Sequence, residues 1–111
     1  MPAASTAETE PEIADPSAMF AQARIASDLM KSLSNETRLM ILCLLSSGEM
    51  TVTRLEERLL IQQASLSQQL ARLRSERLVQ TRREGRMIHY SIADPKVLEV
   101  VKTLYRLYCP A

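Results

Sequence analysis

Three scarce side chains in this 111-residue chain could do chemistry: Cys43 and Cys109, its only cysteines, and His89, its only histidine. A thiolate can attack sulfur, bind a soft metal or act as a covalent nucleophile, and each role needs a deprotonated, reachable thiol. Cys109 stands near the chain's end, where access is expected, and Arg106 one turn back is a cation that favours the thiolate. Cys43 lies in the leucine-rich string LMILCLL, where a lone cysteine is ordinarily a small buried apolar residue. Two Cys and one His do not fill the four N or S positions of a structural zinc site within one chain. His89, on an expected strand, reads as a packed or surface residue. A thiol enzyme would need a base beside Cys109, and no second His, phosphate loop or paired acid–base set accompanies it. No catalytic residues and no cofactor are therefore expected. In a reducing compartment a cysteine pair points to metal binding, redox sensing or catalysis before it points to a structural bridge.

A second chemistry is written in ASLSQQLARLRSERLV, residues 64–79. Leu66, Leu70 and Leu73 recur at helical spacing and make one apolar stripe. Gln63, Ser65, Ser67, Gln68, Gln69 and Arg72 supply the polar remainder. Glutamine can pair with the major-groove edge of adenine and arginine with that of guanine, two bonds each. Many surface helices carry polar faces without reading anything, so the neighbouring elements decide. No Ser, Thr, Asp or Asn stands directly before this helix, so Gln62 or Gln63 must open it without a favoured cap.

A short helix, Val52 to Leu59, precedes it, with Thr51 or Thr53 available as cap and Thr53–Glu56 fitting a capping box. Only Leu60 and Ile61 separate the two helices, which forces a sharp turn. Val79–Arg83 and Met87–Ile92 then read as two strands around Glu84-Gly85-Arg86, where Gly85 supplies the positive φ of a tight turn. Arg82, Arg83 and Arg86 cluster at that tip, placed to meet phosphates. The order is that of a winged helix-turn-helix, mainly α with a small β-hairpin, whose second helix enters the major groove.

The net charge is only +1, but it is uneven. Four of the 13 acidic residues (Glu8, Glu10, Glu12, Asp15) fall in the first 17 residues, which hold no Lys or Arg. The remainder carries 14 basic against 9 acidic residues. Residues 1–16 are expected to be a disordered acidic tail and 17–111 a single folded domain. No run approaches the about 18 apolar residues of a membrane helix, and the start lacks a signal peptide's pattern. A cytoplasmic protein with no membrane partner is expected. The first helix, Ser17 to Ser32, and the last, Pro95 to Tyr108, carry surplus apolar stripes that include Met19, Met30, Leu104 and Tyr108. Pairing these helices across a two-fold axis would bury them in a homodimer. A dimer would read double-stranded operator DNA as an imperfect palindrome, with half-sites about one turn apart.

From Met30 to Tyr108 the chain resembles the ArsR/SmtB family of dimeric bacterial repressors. The likeness rests on LMKSLSNETRLMILCLL, ASLSQQLARLRSERLV and REGRMIHYSI. It implies five helices, a two-stranded wing, dimerisation through the first and last helices, and an effector that releases DNA. Metal-sensing relatives carry Cys-Val-Cys where this chain has Thr51-Val52-Thr53, and another family metal site uses His on the last helix, which here has none. No metal ligands are therefore assigned. One Cys on the second helix and one at the end of the last resembles the reactive-sulfur-sensing branch of the family, the SqrR and BigR group. That likeness implies that Cys43 and Cys109 form a di- or polysulfide bridge with persulfide or oxidant and release the operator. A metal-responsive or effector-independent repressor of the same fold is the alternative.

Overall fold

The computed structural model describes residues 15–109. The acidic tail expected over 1–16 lies outside the described residues except at Asp15 and Pro16, which form the cap and first residue of a helix. The chain runs α1 (Pro16–Leu33), α2 (Glu36–Leu45), β1 (Met50–Thr51), α3 (Val52–Leu59), α4 (Gln63–Ser75), β2 (Val79–Glu84), β3 (Met87–Ile92) and α5 (Pro95–Tyr108). Among the described residues no helix is long and apolar enough to cross a membrane.

Four of the five helices start on a side-chain cap, which satisfies an otherwise orphaned N–H. Asp15 accepts from Ser17 N at 3.1 Å, Asn35 from Arg38 N at 3.0 Å, Thr51 from Arg54 N at 3.2 Å and Asp94 from Lys96 N at 2.9 Å. Pro16 and Pro95 follow their caps at the first helical position, where a missing N–H costs nothing. The cap of α3 is thus Thr51. The expected Thr53–Glu56 box does not form, because Thr53 already lies inside the first turn. Helix α4 opens at Gln62 with no side-chain cap, as its sequence requires.

Three residues separate α3 from α4, one more than the spacing suggested. Leu60 takes φ 57° in the left-handed region and closes α3 with its N–H on Glu56 O at 2.9 Å. That single backbone reversal redirects the chain into α4. Leu60 is 87 % exposed there, so its conformation serves the turn and its side chain packs on nothing.

The core lies beneath this turn. It gathers Ile41, Leu42 and Leu45 of α2, Leu55 of α3, Leu66, Leu70 and Leu73 of α4, then Leu78, Val79, Val97 and Val101. Each such side chain contributes about 1.5–3 kcal/mol by leaving water. The sheet is antiparallel with order β1-β3-β2, three strands where the sequence predicts a two-stranded wing. The added strand pairs Met50 with Tyr90 and Thr51 with His89. Two residues are too few to show an alternating pattern, so β1 was invisible before its partner was in place. β2 reaches Glu84, leaving Gly85-Arg86 as the loop, and Gly85 has φ +63°.

Candidate nucleic-acid interface and thiol pair

Helix α4 buries Leu66, Leu70 and Leu73 almost completely. At 100° per residue this stripe fixes every other position. Gln68 points directly away from the core, flanked along the same face by Ala64, Ala71 and Ser75. Two alanines beside one glutamine let the helix come close to a surface while Gln68 projects from it. Ser65 and Arg72 lie on one shoulder of that face and Ser67 on the other, while Gln63 stands at the start of the helix in line with Leu70, and all four are exposed. Arg72 Nε donates to Glu76 Oε2 at 3.1 Å. Gln69 is half-buried on the α2 side, and its Oε1 accepts from Arg38 Nη1 at 2.9 Å.

The wing sorts its arginines by register. Residues directly opposite share a face, so Arg82, opposite His89, lies on one side of the sheet and Arg83, opposite Ile88, on the other. The Arg83 face is also that of Tyr90, which meets Ser67 and Arg74 of α4 across a shallow depression. Arg82 donates to Glu49 through Nη2 at 2.5 Å and Nε at 3.3 Å, and its Nη1 lies 3.8 Å from Glu84. Those hydrogen bonds hold the Glu49 carboxyl below the usual range and push the Arg82 guanidinium further up. Arg83 and Arg86 are exposed and make no side-chain hydrogen bond or ion pair among the described residues. His89 is half-buried, with Nδ1 3.7 Å from Glu49 and Nε2 3.5 Å from Glu84. Its Nε2 is buried without a hydrogen-bond partner.

Both cysteines are free thiols. Cys43 is half-buried on α2, which packs against α5. Cys109 is the exposed C-cap of α5, held by its N–H on Tyr105 O at 2.8 Å. Burial pushes the Cys43 thiol up, and the charge of a Cys109 thiolate pushes it further. Among the described residues no three His, Cys, Asp or Glu side chains converge on a metal position. The Thr51 hydroxyl is spent on its cap.

Residues 35–81, from the cap of α2 into β2, match the family of bacterial regulatory proteins named for arsR. The transcriptional activator HlyU of Vibrio cholerae is 43 % identical over 83 residues, covering 75 % of this chain and 77 % of that protein. The chain belongs to the ArsR family. The solved structure of reduced HlyU from Vibrio cholerae superposes with a TM-score of 0.79 at 41 % identity, covering 82 % of this chain and 96 % of that one. The transcriptional repressor BigR of Xylella fastidiosa superposes with a TM-score of 0.79 at 37 % identity, covering 87 % and 99 %. The five helices and winged sheet are those of ArsR-family regulators, and the chain is a transcriptional regulator of this family.

Two features of this ArsR-family site escaped the sequence reading. One is the Glu49–Arg82 pair, which takes one of the three wing arginines into the fold. The other is the set around Arg38, which is only 5 % exposed in the polar first turn of α2. Arg38 stands directly before the apolar run LMILCLL, and a guanidinium buried there must have partners.

Proposed function

We propose that this regulator is a dithiol repressor, bound to operator DNA when Cys43 and Cys109 are reduced and released when they are bridged. The observation that carries the reading is structural: Cys43 lies half-buried on α2, α2 packs against α5, and the other free thiol, Cys109, caps the exposed end of α5. Their environments assign an order. Cys109 is exposed, whereas Cys43 is shielded and its thiol raised, so Cys109 meets the effector first. Its thiolate takes the outer sulfur of a persulfide and the parent thiol leaves. Cys43 then attacks the inner sulfur of that Cys109 persulfide, closing a disulfide and expelling hydrogen sulfide. Where a second persulfide has first placed a sulfur on Cys43 as well, that outer sulfur attacks the inner sulfur of the Cys109 persulfide, expels hydrogen sulfide and leaves a trisulfide, which spans a gap wider than the about 4.4–6.8 Å between Cα atoms that a disulfide allows.

The DNA face is α4 with Gln68 at its centre, Ser65, Ser67 and Arg72 beside it, Gln63 at the exposed start of the helix, and Arg83 and Arg86 of the wing on phosphates. The assembly is a homodimer through α1 and α5. Of the 18 residues of α1 only Ser32 and Leu33 are buried in one chain, while Phe20 is 78 %, Ile25 64 % and Tyr108 of α5 79 % exposed. A second copy covers them and sets the spacing of two half-sites. Bridging ties α2, in the reading unit, to α5, in the dimer contact, and so shifts that spacing. A coupling of about 1–3 kcal/mol weakens operator binding roughly 5- to 150-fold.

The test is operator titration with mass spectrometry of the same samples. Persulfide should bridge Cys43 and Cys109 of one subunit, as a disulfide or with sulfur retained between them, and release DNA, and reductant should restore binding. Cys43→Ser and Cys109→Ser should each bind DNA and ignore persulfide. If either variant releases DNA as the wild type does, the thiol switch is wrong.

A further inference from the structure

We infer that Arg38 is the positioning residue of the DNA-reading helix, and that Gln69 serves as Arg38's acceptor rather than as a reader of bases. Arg38 has its guanidinium at the junction of three helices. Nε donates to the Ser32 carbonyl at the end of α1 at 2.9 Å, and Nη1 donates to Gln69 Oε1 in the middle of α4 at 2.9 Å. Its own N–H is the one that Asn35 caps at 3.0 Å. One buried side chain thus fixes the end of α1, the start of α2 and the centre of α4 against one another. Removing an acceptor from a buried cation costs far more than an exposed hydrogen bond would, so the arrangement is rigid.

A second tie lies at the C-terminal end of α4. The Ser32 hydroxyl donates to Oε1 of Glu76, the C-cap residue of α4, while Oε2 of Glu76 accepts from Arg72. Arg38 and Arg72 both lend their charge to Glu76. Held at its middle and at its end, α4 cannot roll or tilt on its leucine stripe, and Gln68 is aimed by that restraint. Gln69 lies about 100° around the helix from Gln68, with its carbonyl turned to α2. Bidentate reading of adenine needs a glutamine's carbonyl and amide together at the groove, and Gln69 gives its carbonyl to Arg38.

This inference rests on α4 being the reading helix, and the experiment separates the two ideas. Wild-type protein selects a preferred duplex from random DNA, and affinities for that duplex and for a scrambled one are measured for Arg38→Lys, Gln69→Ala, Gln69→Glu and the Arg38→Lys/Gln69→Ala pair. The ratio of the two affinities is the readout, because general loss of charge or of folded protein moves both alike. Arg38→Lys and Gln69→Ala should each lower the ratio about tenfold or more, the scale of a lost bond to a charged group. The pair should be no worse than the poorer single change, and none should alter which bases are preferred. Gln69→Glu keeps an acceptor for Arg38 and should restore the ratio. The inference is overturned if Gln69→Ala changes the preferred base at one position, if Gln69→Glu is as poor as Gln69→Ala, or if the two losses multiply. A wild-type protein with no sequence preference would instead overturn the reading role of α4, and this inference with it. Gln69 is half-buried, so its two variants test the contact even if Arg38→Lys fails to fold.

Discussion

The α2–α4 unit with its sheet and the α1–α5 pair treat apolar surface in opposite ways. In the first, Ile41, Leu42, Leu55, Leu66 and Leu73 are at 0 % exposure. In the second, Phe20, Ile25, Met30, Tyr105, Leu107 and Tyr108 are all more than half exposed. The reading unit closes its core within one chain, whereas the outer helices give Leu33, Val97 and Val101 to that core and leave their remaining large apolar side chains uncovered. The difference separates two kinds of fragility. Damage to the inner unit should unfold the protein, and damage to the outer pair should leave it folded but alone.

The largest expected effect is on the inner unit. Leu70→Ala should lower unfolding free energy by about 2–5 kcal/mol, since the site is closed on all sides and a cavity remains. Denaturant unfolding at fixed protein concentration checks it, and a loss under about 1 kcal/mol would mean that α4 is not seated on this core.

Next comes the outer pair. Ile25→Glu with Leu107→Glu should give a folded monomer by sedimentation and weaken operator binding about a hundredfold or more, because two linked half-sites become one. A charge at Leu104, half-buried against the core, should break the dimer or the fold itself. A folded monomer that still grips a palindrome tightly would remove the two-region distinction.

Smaller effects sharpen the reading face. Gln68→Ala should cost about 1–3 kcal/mol of operator binding, as for a lost base pairing. Arg83→Ala or Arg86→Ala should leave sequence preference intact and make the salt dependence shallower by about one ion each. Arg82→Ala should change that slope less, because Glu49 already neutralises the side chain.

The smallest effect is one of pH. The Ser32 hydroxyl, then Arg72, hold the Glu76 carboxyl below its ordinary range, and Arg82 does the same for Glu49. A depressed folded value gives stability that is fully present above the ordinary glutamate range and is lost as pH falls through the folded value. Acid titration of the melting temperature should therefore decline on that side, with Glu76→Gln showing a shallower decline. An unchanged slope would mean that the Ser32–Glu76 tie is not maintained in solution.

Much of this arrangement was legible in order of locality. The leucine stripe of α4, its uncapped start and the hairpin around Gly85 follow from residues within a few positions of one another. The Thr51 cap belongs to the same class, although Thr51 and Thr53 could not be told apart until the first turn was fixed. What escaped is long-range. Arg38 finds Gln69 31 positions on, Arg82 finds Glu49 33 positions back, and Ser32 finds Glu76 44 positions on. No periodicity announces such partners.

Gln68 and Gln69 are neighbours in the chain, yet they are exposed to different histories. One stands on an open face between two alanines, where a change of side chain leaves every internal contact as it was. The other is bonded into the junction of three helices, where the same change reaches the frame. A lineage of such regulators could therefore drift to a new operator through position 68 while position 69 holds still. Two adjacent codons would then evolve at different rates for reasons that lie in the geometry of one helix.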